Sequence, residues 1–175
     1  GGRGGGGGGL TPEEIELSSR LEDALQASVP LDKLAKCVLD VYVMVLQADG
    51  SVFPAVITCA SLALADAGVE LYDLVSCCSV AVVKKVSEEK NGGEGKRAMD
   101  CVCLADPSED ELVGGAGVSV LGIVTIGMLG NWKEVTFWDQ TGRLDSEVGK
   151  KAIELCKDGC SIMYKCMRKC LLEKV

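Results

Sequence analysis

The side chains best suited to metal chemistry form an acidic cluster, and it comprises Asp106, Glu109, Asp110 and Glu111. Carboxylate oxygens are the ligands that Mg²⁺ prefers in proteins, so a magnesium site is one interpretation. The cluster also surrounds Pro107 and follows an apolar run, which is typical of a solvated turn after a strand. The sequence alone favours the turn.

The cysteines are the second candidate for chemistry, because the chain has ten of them and no histidine. Cys156, Cys160 and Cys170 share one face of a predicted final helix, where thiolates four residues apart can share a metal ion. That face is otherwise apolar, and Cys101 and Cys103 alternate on a predicted strand. We therefore expect these cysteines to pack as small hydrophobic residues in a reducing compartment.

The sequence contains no familiar catalytic motif. The absence of histidine removes the commonest general base, and neither a P-loop nor a nucleophile elbow is present. Trp132 and Trp138 flank a predicted hairpin, where packing is favoured over base stacking. The net charge of −8 disfavours non-specific binding to nucleic acid, so an RNA contact must be local or shared with a partner. No catalytic, metal-binding or cofactor-binding residue and no cofactor is assigned.

The central part of the chain predicts a strand, a turn, a buried helix and a second strand. Residues 37–47 are apolar on both faces, which predicts a strand covered on both sides or packed at an interface. A turn at Asp49-Gly50 precedes a predicted helix over residues 54–67, which is apolar nearly all round and so should be buried. Gly68 is a plausible C-cap, and residues 74–83 form the next predicted strand.

The remaining elements complete an α/β (α+β) domain of two layers. Thr11, Pro12 and Glu14 predict a capped first helix that ends at Pro30, with an apolar stripe that includes Ile15 and Leu17. The later predictions are a surface loop at 84–96, a strand at 99–104, an acidic turn at 107–111, a hairpin of 118–129 with 132–138, and a helix over 145–174. Residues 1–9 read as a flexible glycine tract, and residues 10–175 as the domain. No membrane span is predicted.

One stretch carries a family resemblance. The segment L-Q-A-D-G, followed by A-S-L-A-L-A-D-A-G-V-E-L-Y-D-L-V-S-C-C, resembles the second half of RNase PH family proteins, and the likeness extends over residues 10–172. The resemblance implies the RNase PH-like fold, of the ribosomal protein S5 domain 2 type, without much of its N-terminal half. Active family members are phosphorolytic exoribonucleases that hold phosphate with arginines and use acidic residues to support Mg²⁺ and the leaving group.

Several positions depart from the family pattern. The phosphate-binding Arg that follows the D-G turn is replaced by Phe53, and the first of two family Asp positions by Leu104. The second is Asp110, and a shifted alignment offers Asp106. The family's other phosphate-binding Arg falls in the glycine tract, where only Arg3 is present. The resemblance therefore implies a degenerate site without enzymatic activity, as in non-catalytic subunits of the eukaryotic exosome ring.

The resemblance also implies partners and a place in the cell. The expected partners are other RNase PH-like subunits in a hetero-hexameric ring, cap subunits, and RNA in the shared channel, with no membrane. The expected role is to support rRNA maturation and mRNA turnover in the nucleus, including the nucleolus, and in the cytoplasm. Two alternatives remain: an active phosphate-dependent 3′-to-5′ exoribonuclease that uses Asp106 and Asp110, and an interaction domain unrelated to RNA.

Overall fold

The computed structural model of the chain describes residues 11–34, 36–85, 101–113 and 118–173. The glycine tract and most of the predicted loop at 84–96 lie outside these residues. Their assignments, and the domain boundary at residue 10, therefore stay predictions.

A four-stranded antiparallel sheet forms the centre of the fold, with strand order β2-β1-β3-β4. The strands are β1 Val75–Lys85, β2 Cys101–Ala105, β3 Val118–Leu129 and β4 Val135–Gly142, and the helices are α1 Pro12–Gln26, α2 Val52–Asp66, α3 Glu109–Val113 and α4 Ser146–Glu173. The predicted α/β class and the β3–β4 hairpin are confirmed.

Helix α2 covers the part of β1 that β2 leaves open. The pairing of β1 with β2 begins only at Val80. Before that point, the Val75 N–H donates to the Ser61 hydroxyl at 2.9 Å and the Cys77 N–H donates to the Thr58 hydroxyl at 3.2 Å. Two polar side chains in a largely apolar helix thus satisfy strand amides that would be costly to bury unpaired.

The apolar interior divides into two clusters along β1. One lies between α1, α2 and the first half of β1, and its fully or nearly buried members include Leu25, Ile57, Leu64, Val75 and Cys77. The other lies between α4 and the middle of β1 and β3, and it consists of Val80, Val82, Val124, Ile126, Ala152 and Cys156. The fold therefore depends on both long helices as well as on the sheet.

The first helix begins as predicted and ends earlier. The Glu14 N–H donates to the Thr11 hydroxyl at 3.3 Å and the Thr11 N–H donates to the Glu14 carboxylate at 2.7 Å, which completes the capping box. The helix ends at Gln26, because the N–H and the hydroxyl of Ser28 both donate hydrogen bonds to the Leu25 carbonyl. Ile15 and Leu17 are exposed, so the predicted apolar stripe was too wide.

Helix α2 confirms the predicted helix but corrects its burial. It starts at Val52, and Gly68 has φ +78°, as expected of a C-cap glycine. The prediction that the helix is buried on all sides is wrong, because Ala55, Cys59 and Ala63 are exposed. The sequence could not reveal this outer face, because its residues are small and apolar like those of the inner face.

The predicted strand at residues 37–47 is absent from the sheet. Val38, Tyr42 and Leu46 are 86%, 91% and 89% exposed, while Val41 and Val43 between them are 37% and 45% exposed. This alternation is typical of a strand, but none of the described strands pairs with the segment. The prediction of a covered central strand is therefore wrong here, because a strand needs a neighbour for its backbone groups.

The C-terminal part follows the prediction with smaller corrections. The Glu147 N–H donates to the Asp145 carboxylate at 3.2 Å, so Asp145 does cap α4. Trp132 and Trp138 are 56% and 47% exposed, and the Trp132 ring lies 6.3 Å from the Tyr72 ring, so their packing is partial. Part of the acidic turn forms the short helix α3. None of the described helices is long and apolar enough to cross a membrane.

Candidate functional site at the start of α2

The turn before α2 is docked on the acidic segment before α3. Gly50 has φ +74°, and a side chain there would collide with the Pro107 carbonyl. The Glu109 N–H donates to the Asp49 carboxylate at 2.9 Å across a sequence separation of 60 residues. The tertiary structure thus brings together the Asp49-Gly50 turn and the acidic cluster.

Within the acidic segment the carboxylates have different roles. Glu111 accepts from the Ser108 N–H at 3.0 Å and from its hydroxyl at 3.3 Å, so it caps α3. Glu109 and Asp110 are exposed in α3, and Asp106 is an exposed residue with φ +49°. Their exposure agrees with the predicted solvated segment. Across the described residues no three Cys, Asp or Glu side chains converge on a possible metal site.

The first turn of α2 supplies positive character beside these carboxylates. Ser51 is the N-cap residue, and its hydroxyl makes no capping hydrogen bond in the part of the chain that the structure describes. The first amides of a helix lack intrahelical partners, and the helix dipole favours an anion near them. This feature is not visible in the sequence, because a Ser at the start of a helix normally caps it.

Phe53 packs against Phe137 and Arg20. Its ring lies 5.1 Å from the Phe137 ring in an edge-on arrangement, and the Arg20 guanidinium lies 4.9 Å from its centroid. Arg20 also forms an ion pair of 2.6 Å with Asp139 of β4. The sequence analysis missed Arg20, although it is the only cation in an acidic helix. Phe53 therefore joins α1, α2 and β4 instead of lining the docked turn.

The other singled-out positions lie in packing environments. Leu104 is a half-buried β2 residue paired with Ala81. Cys156 and Cys160 are fully buried, so core packing is confirmed for them, and burial raises the pKa of Cys160 to about 12. Cys170 is exposed at the far end of α4, so the three cysteines do not converge. The remaining pair, Cys101 and Cys103, packs against the α4 cluster as predicted.

Asp73 is a polar centre that the sequence analysis did not assign. Its carboxylate accepts from the Asn131 N–H at 2.6 Å, the Trp132 N–H at 3.4 Å and the Tyr164 hydroxyl at 3.1 Å. Burial and then the nearby Asp73 charge raise the pKa of Tyr164. Gly130 leaves the space that the Tyr164 ring fills. This centre joins the start of β1, the β3–β4 turn and α4, so its role is structural.

Comparisons with known proteins find similarity to one family of exoribonucleases. Residues 2–70 match the model of the 3′ exoribonuclease family, domain 1, called RNase_PH. The chain is 34% identical over 161 residues to the exosome complex component Rrp41 of Nitrosopumilus maritimus, covering 92% of this chain and 57% of that protein. It is 32% identical to the RRP41-like exosome component of Arabidopsis thaliana, covering 90% and 54%. By these matches the chain is similar to proteins of the RNase PH family.

A solved structure agrees at the level of the fold. Rice (Oryza sativa) Rrp46 superposes with a TM-score of 0.62 over 94% of this chain and 68% of that one, at 20% sequence identity. The chain spans a little over half the length of the Rrp41 relatives it matches. The predicted RNase PH-like fold is therefore confirmed.

The prediction that the protein is not an enzyme is wrong. The matching family model is that of 3′ exoribonucleases, and the curated relatives named above are Rrp41 and RRP41-like exosome components. The prediction depended on Phe53 and Leu104, and both side chains are used for packing. The absence of an Arg at position 53 leaves other groups that can bind phosphate, such as helix N-terminal amides and arginines at other positions.

Proposed function

We propose that this chain is part of an exosome-type RNase PH subunit that degrades RNA from its 3′ end with inorganic phosphate as the nucleophile. The observation that supports this most is the docking of the Asp49-Gly50 turn on the segment that carries Asp106 and Asp110. These are the two segments that family resemblance connects with phosphate and with the acidic residues. Their contact places an electropositive helix start beside carboxylates.

In the proposed reaction, a phosphate oxygen attacks the last phosphodiester of the RNA. The bond from phosphorus to the 3′ oxygen of the preceding nucleotide breaks, that oxygen takes a proton, and a nucleoside diphosphate leaves. The first amides of α2 would hold the incoming phosphate through the helix dipole. We assign Asp110 to the side of the leaving 3′ oxygen, because it is exposed next to the residue that Asp49 fixes.

The proposed chemistry needs more positive charge than the described site contains. Arg20 is engaged with Asp139 and two phenyl rings, and Phe53 cannot bind an anion. Phosphate transfer requires fixed cations, since charge must be balanced at the reacting phosphorus. We therefore propose that arginines outside the described residues, including those of a neighbouring subunit, complete the site.

We further propose that the partners are RNase PH-like subunits in a hexameric ring with cap subunits and an RNA channel. Supporting surfaces are the extended segment 37–47 and the exposed face of α2, which leave large apolar side chains and small residues uncovered. The proposed processes are rRNA maturation and mRNA turnover, and the proposed locations are nucleus, nucleolus and cytoplasm. If a fluorescent fusion of the protein were absent from the nucleus, the proposed location would be contradicted.

The experiment is a degradation assay on the full protein copurified with its RNase PH-like partners. A 5′-labelled single-stranded RNA should shorten from its 3′ end only when phosphate is added, with release of nucleoside diphosphates. Asp110→Asn should lower the rate by at least about tenfold, because general acid catalysis contributes about 10²–10⁴-fold. Asp158→Asn on the exposed side of α4 is the matched control and should leave the rate unchanged.

Two results would refute the proposal. One is an assembled complex that shortens RNA equally well without phosphate, and the other is equal rates for Asp110→Asn and Asp158→Asn. Failure of the full protein to copurify with any RNase PH-like subunit would refute the proposed assembly.

A further inference from the structure

Three cysteines lie where the middle of β1 packs on α4, a fourth lies on the other face of β1, and the proposed reaction uses none of them. Cys77 and Cys78 are on β1, and Cys156 and Cys160 are on α4. Cys78 is half-buried and the other three are buried. All four are free thiols, so the site is a candidate for sulfur chemistry.

Helix and strand approach closely at this point because residue 159 is a glycine. A Cβ atom at Gly159 would lie 2.5 Å from the Cys78 sulfur and 3.2 Å from its Cβ atom. The Cys78 side chain therefore lies directly against the backbone of α4. Cys156 lies three residues before Gly159 on α4, and its sulfur faces Val124 of β3, two residues from Ile126, the β3 residue that pairs with Cys78.

The two thiols differ in character. A hydrogen bond from the Cys156 thiol to the Cys78 thiolate lowers the pKa of Cys78, against the opposing effects of burial and of the Asp106 charge. The same hydrogen bond, together with burial, raises the pKa of Cys156. The Cys156 thiol donates to the Val124 carbonyl at 3.3 Å, and the Cys78 thiol donates to the Ser79 carbonyl at 3.6 Å. Cys78 is thus the more acidic and the more accessible thiol of the pair.

We propose that Cys78 and Cys156 form a disulfide that joins β1 to α4 when the protein meets hydrogen peroxide. The Cys78 thiolate attacks one peroxide oxygen, the O–O bond breaks, and one water leaves after protonation, so that the sulfur is oxidised to a sulfenic acid. The Cys156 sulfur then attacks the Cys78 sulfur, and the sulfenic hydroxyl leaves with the Cys156 proton as a second water. Overall, two thiols and one peroxide give one disulfide and two waters.

The sequence allows the linkage to be located by mass spectrometry. The folded chain is treated with hydrogen peroxide, its remaining thiols are alkylated, and it is digested with trypsin without reduction. Trypsin cleaves after Lys151, Lys157 and Lys165, so residues 152–157 carry Cys156 and residues 158–165 carry Cys160. We expect the 152–157 peptide linked to the 37–84 peptide, with the loss of two hydrogens.

Serine variants identify the β1 partner and test the geometry. The linkage should disappear in Cys78→Ser and Cys156→Ser, and it should persist in Cys77→Ser and Cys160→Ser. Gly159→Ala should reduce its yield, because the added methyl group displaces the Cys78 sulfur. Cross-linking should also raise the Tm of the wild-type chain by roughly 5–10 °C, since it closes a long loop in the unfolded chain.

The outcomes separate the proposal from its alternatives. A linkage that persists in Cys78→Ser, a peroxide product joined through Cys160, or sulfenic and sulfinic acids without any linkage would each overturn it. A linkage that appears only after the chain is unfolded in urea would overturn it as well. Circular dichroism of each variant before oxidation shows whether the variant is folded, and Cys77→Ser is the internal control for a substitution beside Cys78.

Discussion

Removing the Asp73 carboxylate should loosen the junction between β1, the β3–β4 turn and α4. In Asp73→Ala the Asn131 and Trp132 amides and the Tyr164 hydroxyl lose their common acceptor. These contacts bridge 58, 59 and 91 residues of sequence, so nothing local replaces them. We expect a destabilised chain that retains its secondary structure.

The magnitude follows from the three contacts. A hydrogen bond to a charged group contributes about 1.5–3 kcal/mol when buried, and less here because the Asn131 and Trp132 residues are exposed. With the 2.6 Å bond counted as strong and the 3.4 Å bond as weak, the loss in unfolding free energy is about 3 kcal/mol. For a chain of this size that lowers Tm by roughly 6–12 °C.

The assay is urea unfolding followed by circular dichroism, with Tyr164→Phe and the double variant measured alongside. Tyr164→Phe removes one bond and keeps the ring in the space beside Gly130, so it should cost about 1 kcal/mol. The double-mutant cycle should give a coupling of about 1 kcal/mol between the two side chains. An Asp73→Ala chain within 0.5 kcal/mol of wild type, or a coupling near zero, would refute the reasoning.

Three further predictions follow from the edges and the junction of the fold. Ser61→Ala should lower the unfolding free energy by about 1–3 kcal/mol, because the buried Val75 amide loses its acceptor; a neutral result in urea unfolding would contradict this. Tyr42→Lys with Met44→Lys should reduce aggregation of the isolated chain in light scattering without lowering Tm, since both side chains are exposed on an unpaired strand; unchanged aggregation would contradict it. The raised pKa of Tyr164 favours its neutral form in the folded state, so this contribution to stability is complete below about pH 10 and is lost as the pH rises further. A Tyr164→Phe chain should therefore lose less stability between pH 9 and 11 than wild type does, and identical losses would argue against it.

Local signals predicted most of the helices and strands. The capping box at Thr11, the glycine at position 68 and the carboxylate at Asp145 each act on amides or backbone angles a few residues away. Such features are encoded in short stretches, so their positions could be read without a fold. The apolar pattern at 37–47 also predicts a strand, but strand pairing depends on a neighbouring strand that no local pattern supplies.

The sequence identified the two segments of the candidate site but not the contact between them. The Asp49-Gly50 turn and the acidic segment were both singled out, but their contact was not predicted, since one hydrogen bond joins them across 60 residues. The role of Phe53 was misjudged for a related reason. A residue type shows which bonds a side chain can make, but only packing shows whether it faces the site or, as here, Arg20 and Phe137.

The sequence by itself determined the fold class, the family resemblance and the start of each long helix, because these depend on composition, order and short-range hydrogen bonds. Only the tertiary structure decided which strand stays unpaired, which face of α2 is exposed, and which thiols lie near one another across β1 and α4. Those outcomes depend on how separate elements approach one another. The docking of Gly50 on Pro107 and the contact of Gly159 with Cys78 are both set by packing at long range.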